Sequence, residues 1–172
     1  RFNANAAVLV SALLAPILLN SAEASPVNAS GGVIRWAITP SSPNLTYFID
    51  TTATSIATTV QQAFTDWQNV AESYITFSQA GAQAGANIIV VVSSTVQAGA
   101  AGWAQYAYNA RAEISTCTLT ISSASAASGG TALKSVVQHE TGHCLGLAHS
   151  VNLNAVMSYW PNSAASPTTD DN

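Results

Sequence analysis

His139, Glu140, His143, Gly146 and His149 carry the chemistry of this sequence, and they use all three of its histidines. Residues four apart share one face of a helix, so a helix here projects His139 and His143 side by side, where both imidazoles bind one metal ion. Glu140 sits about 100° further round the helix from His139, beside the metal without being a ligand. Gly146 lets the chain turn after the helix, and His149 returns from a separate direction. Three neutral imidazoles leave the fourth position of tetrahedral zinc open for water, the arrangement of a catalytic site rather than a closed structural one. Zinc lowers the pKa of that water, and Glu140 is placed to take its proton as a general base. Metal-assisted hydrolysis is the reaction class this pattern points to. Five fixed positions make the pattern far more specific than H-E-x-x-H alone. Copper, nickel or iron also bind such ligands in vitro.

These side chains need elements to hold them. Thr131 is a plausible N-cap for a helix running to about Leu145, which Gly146 ends. Ile56, Val60, Ala63, Phe64, Trp67 and Val70 form an apolar stripe predicting another helix from Ser55 to about Ala71. Strands are expected at Val33–Thr39, Leu45–Ile49, Tyr74–Ser78, Asn87–Ser93, Trp103–Tyr108 and Ile114–Ser122. The third-last of these, at Asn87–Ser93, is a continuous β-branched run, typical of burial on both faces. The last alternates, with Cys117, Leu119 and Ile121 on one side and Thr116, Thr118 and Thr120 on the other. Ser122 to Gly130 reads as a low-complexity loop. This order predicts one α+β domain with a twisted sheet and two main helices.

The chain has 172 residues, enough for one domain. Charged residues are only 7 % of it, and the four basic ones, Arg1, Arg35, Arg111 and Lys134, are too few to neutralise a run of phosphates. No nucleic acid and no polybasic membrane contact are expected. Apolar residues at 48 % argue against disorder. Residues 6–19 form an apolar run shorter than the roughly 20 residues of a membrane span. Ala22-Glu23-Ala24 follows as a small-x-small cleavage site, so residues 1–24 read as a signal peptide and 25–172 as the mature domain. The mature protein is expected to be secreted, soluble, monomeric and free of membrane. An exported chain with two cysteines pairs them. Cys144 lies within about 20° of Leu133 and Val137 on the helical wheel and faces away from the histidines. A Cys117–Cys144 disulfide is expected, and Cys144 as a zinc ligand conflicts with that wheel position.

Asn154-Ala155-Val156-Met157-Ser158-Tyr159 follows the third histidine, with Met157 eight residues beyond it. Together with the helix motif this resembles the metzincin metalloendopeptidases, in which the methionine of such a turn forms a hydrophobic floor beneath the zinc. Ser150, the short spacing to Met157, Leu45–Ile49 and Ala63-Phe64-x-x-Trp67 are similar to the matrixins, peptidases of the M10 type. Met157-Ser158-Tyr159-Trp160 looks more like the serralysin turn. The resemblance covers about residues 33–171. It implies a metzincin-like catalytic domain with a twisted, mostly parallel five-stranded sheet, an active-site helix and a second long helix. It also implies one catalytic Zn2+ and protein or peptide substrates. Tyr159 would hydrogen-bond the oxyanion or bind zinc at rest; a place in the pocket wall or simple packing is equally open. The edge Gly102–Tyr108, including Trp103 and Ala104, would pair with the substrate strand, and Val136, Tyr159 and Pro161 would line the pocket.

Departures from the family pattern carry expectations too. No histidine is left for a second, structural zinc. Glu113 is the sole acidic residue between positions 73 and 138, so calcium is weakly supported. Thr168 to Asn172 resembles the start of the family's C-terminal helix, which is then expected to be truncated. The alternative is a non-catalytic, secreted zinc-binding interaction module; Glu140 argues against it, because a closed structural site has no use for a carboxylate there.

Overall fold

A computed structural model describes residues 7–10 (main chain), 32–38, 41–42, 44–96, 99–158 and 166–167. Its strands are β1 (Ala7–Val10), β2 (Arg35–Trp36), β3 (Asn44–Ile49), β4 (Thr76–Gln79), β5 (Ile88–Ser93), β6 (Gly102–Tyr108) and β7 (Glu113–Ser122). The helices are α1 (Ala57–Gln68), entered through a 3-10 turn at Thr51–Ile56, the short α2 (Ser123–Ser128) and α3 (Gly130–Leu145). One sheet runs in the order β1-β6-β7-β5-β3-β4, with β2 also beside β7.

The sheet is mainly parallel, as the resemblance implies, but has seven strands where five are expected, β1 and β2 being the additions. β3 pairs in parallel with β4 and β5, and β5 with β7. A parallel pair needs a crossover, and α1 supplies it between β3 and β4. β6 and β7 instead meet across a tight turn and run antiparallel. Asn109 shapes that turn, its side-chain oxygen accepting the N–H groups of Arg111 (2.8 Å) and Glu113 (3.1 Å).

Several local expectations change. α3 starts at Gly130 behind Gly129, which offers no side-chain cap, so Thr131 lies inside the helix and does not cap it. Within Val33–Thr39 the strand proper is Arg35–Trp36, opposite Glu113–Ile114, where β7 begins. Ser122 to Gly130 contains a helix, not a loop. Ser122 caps it by accepting the Ser125 N–H at 3.0 Å, and its alanines favour the helical state. Ala7–Val10, inside the expected leader, lies antiparallel along the outer edge of β6 opposite residues 104–107. The rest of that leader and the residues of the expected C-terminal helix, Thr168–Asn172, lie outside the described residues. No helix among the described residues is long and apolar enough to cross a membrane.

The core fills the space between this sheet and the two longer helices. α1 buries Val60, Ala63, Phe64 and Trp67, the face its sequence stripe marks. Phe64 stacks on Tyr47 of β3 with ring centroids 4.3 Å apart. α3 buries Leu133, Val137 and Cys144 against β6 and β7, whose Ala104, Cys117, Leu119 and Ile121 are all fully enclosed. A second, smaller cluster of Trp67, Val70, Val156 and Met157 lies under the C-terminal half of α3.

Candidate active site

Five contacts tie α3 to its neighbours. A disulfide joins Cys144 to Cys117 of β7, with Cα atoms 5.6 Å apart. Two buried indoles donate to main-chain oxygens of α3: Trp36 Nε1 to Cys144 O at 2.8 Å, and Trp67 Nε1 to Gln138 O at 2.9 Å. The first satisfies one of the carbonyls that a helix end leaves without an intrahelical partner. On α1, Asp66 Oδ2 accepts from Lys134 Nζ at 2.7 Å and from Gln138 Nε2 at 2.6 Å.

The helix ends as its glycine predicts. Gly146 takes the left-handed conformation at φ 93°. The Gly146 N–H bonds His143 O and the Leu147 N–H bonds Gly142 O, both at 3.0 Å, the pair of bonds that defines a Schellman ending. The chain therefore turns back, and His149 meets the two helical histidines. His143 Nε2 lies 3.1 Å from His139 Nε2 and 3.3 Å from His149 Nε2.

The other nitrogen of each helical imidazole is engaged by main chain. His139 Nδ1 donates to Val156 O at 2.8 Å and His143 Nδ1 to Leu147 O at 2.9 Å. With Nδ1 protonated, Nε2 presents its lone pair to the cluster, and such outer partners orient metal-binding histidines. Four-coordinate zinc with bonds near 2.0–2.1 Å needs donors roughly 3.4 Å apart, close to the separations found here. The donor set fits zinc. The ligand-capable atoms of the three histidines all lie within 4.8 Å of one another, and no other group of three His, Cys, Asp or Glu with such spacing occurs among the described residues.

Met157 is 1 % exposed and packs with Trp67, Val70 and Val156. Its carbonyl accepts the Ser150 N–H at 2.6 Å, tying the turn to the segment that follows His149. Its thioether packs on Gly142, where a β-carbon would overlap Met157 Sδ and come within 2.9 Å of Trp67 Cζ2. Alanine ordinarily gains about 1 kcal/mol over glycine inside a helix, whereas overpacking costs about 1–3 kcal/mol. The second effect wins at this contact. Gly142→Ala is expected to lower the denaturant midpoint, and shortening Met157 to Ala in the same chain is expected to recover part of the loss.

Glu140 is 2 % exposed. Its carboxylate accepts the N–H of Ala104 on β6, while Oε2 is buried with no hydrogen-bond partner. Burial pushes the carboxyl from its ordinary 4.5 up to about 8, and the Ala104 N–H opposes that rise. Burial, then the neighbouring imidazoles of His139 and His149, hold His143 well below 6.5. Burial, then His139, lowers His149 to about 4.

These shifts set the acid and alkaline limbs of the metal-free protein. Between about 4.5 and 6.5 the unfolded chain protonates His143 and His149, whereas the folded one keeps both neutral and protonates Glu140 instead. The unfolded state then binds more protons, so stability rises with pH. Between 6.5 and about 8, of these three groups only the folded Glu140 still holds a proton, so their combined contribution to stability falls. Thermal midpoints measured in chelator from pH 4.5 to 8 are expected to peak near 6.5; a monotonic profile would contradict this balance.

The structure brings His139, His143 and His149 together, while Glu140 of the same helix meets the Ala104 N–H of β6 and Met157 packs on Gly142. Trp103 is half-buried on β6, and Val136 is half-buried against the core cluster. Tyr159 and Pro161 lie outside the described residues. Sequence reasoning missed Gly102 and Gly142, which admit Glu140 and Met157, and the carbonyls of Leu147 and Val156. A glycine inside a strand pattern beside small residues was the available signal for the first. Main-chain acceptors leave no signal in residue type.

A search among curated proteins finds no match to this chain. The family model Peptidase M10: Matrixin matches residues 33–172. With most of its length matched, and with three histidines whose geometry fits the zinc site of that family, the chain belongs to the matrixins and is a zinc metalloendopeptidase.

Proposed function

We propose that this protein is a secreted endopeptidase that cleaves extended polypeptides, with Glu140 as the general base. The buried, partnerless Oε2 of Glu140, the helix residue next to His139 of the three convergent imidazoles, carries this assignment. Zinc held by Nε2 of His139, His143 and His149 would supply Lewis-acid polarisation of a water and of the scissile carbonyl. Glu140 Oε2 takes a proton from the attacking water as its oxygen bonds to the carbonyl carbon. It then delivers that proton to the amide nitrogen as the C–N bond breaks. The Ala104 N–H holds the carboxylate in place between these two transfers. A cation beside Glu140 favours its ionised form and so offsets the effect of burial.

Substrate would add as a strand to the outer edge of β6, with main-chain hydrogen bonds giving affinity and alternate side chains giving selectivity. That Ala7–Val10 lies antiparallel there supports the ability of this edge to take an extended segment. Export is supported by the disulfide, which persists in oxidising compartments, and by the leader-like apolar run ahead of the domain. The protein would act as a monomer with one zinc and no required calcium. The test is digestion of casein and of a peptide library by the folded domain, with zinc and with chelator. Internal cleavage that chelator removes and zinc restores is expected. Folded, zinc-loaded protein that cleaves nothing would instead be a zinc-binding interaction module.

A further inference from the structure

Gly102 is a buried residue of β6 facing α3, opposite Ile121 of β7. Its backbone does not need glycine, since it lies outside the positive-φ residues of the chain. Glycine in a strand interior is unfavourable in itself, because it loses the most chain entropy and packs no side chain. The space it leaves is filled by Glu140. A β-carbon at position 102 would lie 2.6 Å from Glu140 Cγ and 3.1 Å from both Cδ and Oε1. A contact with Cγ is not relieved by swinging the end of the side chain. It requires a different χ1 or a shift of α3 or β6. α3 is held by the disulfide to β7 and by the Trp36 and Trp67 indoles, and it carries His139 and His143.

We propose that Gly102 is a positioning residue for Glu140: the missing side chain lets the glutamate lie flat against β6, where the Ala104 N–H meets its carboxylate. The consequence for turnover rests on Glu140 being the general base; the contact itself does not. An added methyl forces the carboxylate off the Ala104 N–H while leaving the three imidazoles able to hold a metal.

Two measurements on the full chain test this. In metal-free protein, Gly102→Ala is expected to lower the thermal midpoint by about 2–6 °C. In a Glu140→Ala background, which removes Cγ, the same change is expected to leave the midpoint unchanged or raise it, because alanine is then the better strand residue. An equal loss in both backgrounds would place the clash elsewhere and overturn the proposal. In zinc-loaded protein, Gly102→Ala is expected to cut kcat by about 10²-fold with KM within about twofold and one zinc retained per chain. Unchanged kcat, or a loss confined to KM, would overturn it as well. If the wild-type protein cleaves nothing, the endopeptidase assignment fails, while the midpoint comparison still decides the contact.

Discussion

Glu140→Gln is expected to reduce kcat by about 10²–10⁴-fold, the usual contribution of a positioned proton-transfer group. The amide matches the carboxylate in shape, so its oxygen still accepts the Ala104 N–H and the side chain still fits the space over Gly102. The histidines are untouched, and zinc content should stay at one per chain. Only the ability to take a proton is removed. KM should move little, because no substrate contact is lost. The same variant makes a second, activity-free point. The fall in metal-free stability above pH 6.5 comes from the proton that folded Glu140 retains up to about 8, so that limb should vanish. Wild-type turnover in Glu140→Gln would remove Glu140 from the mechanism; a persistent alkaline limb would show that another group causes it.

Removing the disulfide is expected to have the largest effect on stability. Cys117 and Cys144 are 27 residues apart, and a loop of that length restricts the unfolded chain by about 3–4 kcal/mol in the chain-entropy account. Both residues are fully buried, so replacing them by alanine also leaves unfilled space. A total loss of about 3–5 kcal/mol in a Cys117→Ala, Cys144→Ala chain is the expected outcome of denaturant unfolding, within the range seen for native disulfides. Because Cys144 directly follows His143, the loss should also reach the metal site. Zinc affinity, measured by competition with a chromophoric chelator, should weaken in the same variant. An unchanged midpoint would mean that Trp36, Trp67 and Asp66 hold α3 without the covalent link.

The parts of this domain set by local periodicity were legible in its sequence. The 100° advance of a helix suffices to put His139 and His143 together and Glu140 beside them. The stripe Val60, Ala63, Phe64 and Trp67 identifies the buried face of α1, and the β-branched run at Ile88–Val92 identifies an interior strand. The alternation of Cys117, Leu119 and Ile121 gives the inward face of β7. Long-range facts were not legible. That the strand within Val33–Thr39 is only Arg35–Trp36 depends on where β7 begins. That Ala7–Val10 finds the edge of β6 depends on main-chain groups common to every residue. The helix at Ser123–Ser128 was hidden in a composition of serine and alanine that suits loops as well. At the site, the histidine and glutamate side chains were evident, whereas their supports were a missing methyl group at Gly102, another at Gly142, and two carbonyls.

The two indole contacts on α3 have an optical consequence. Trp36 and Trp67 are 6 % and 2 % exposed, and each binds its N–H to the helix that carries the motif. Their emission should therefore be blue-shifted in the native protein and respond when that helix moves, even while the sheet stays folded. The domain thus contains intrinsic fluorophores attached at the middle and at the end of its metal-binding helix, and zinc titration or reduction of the disulfide can be followed by colour and intensity without any added label.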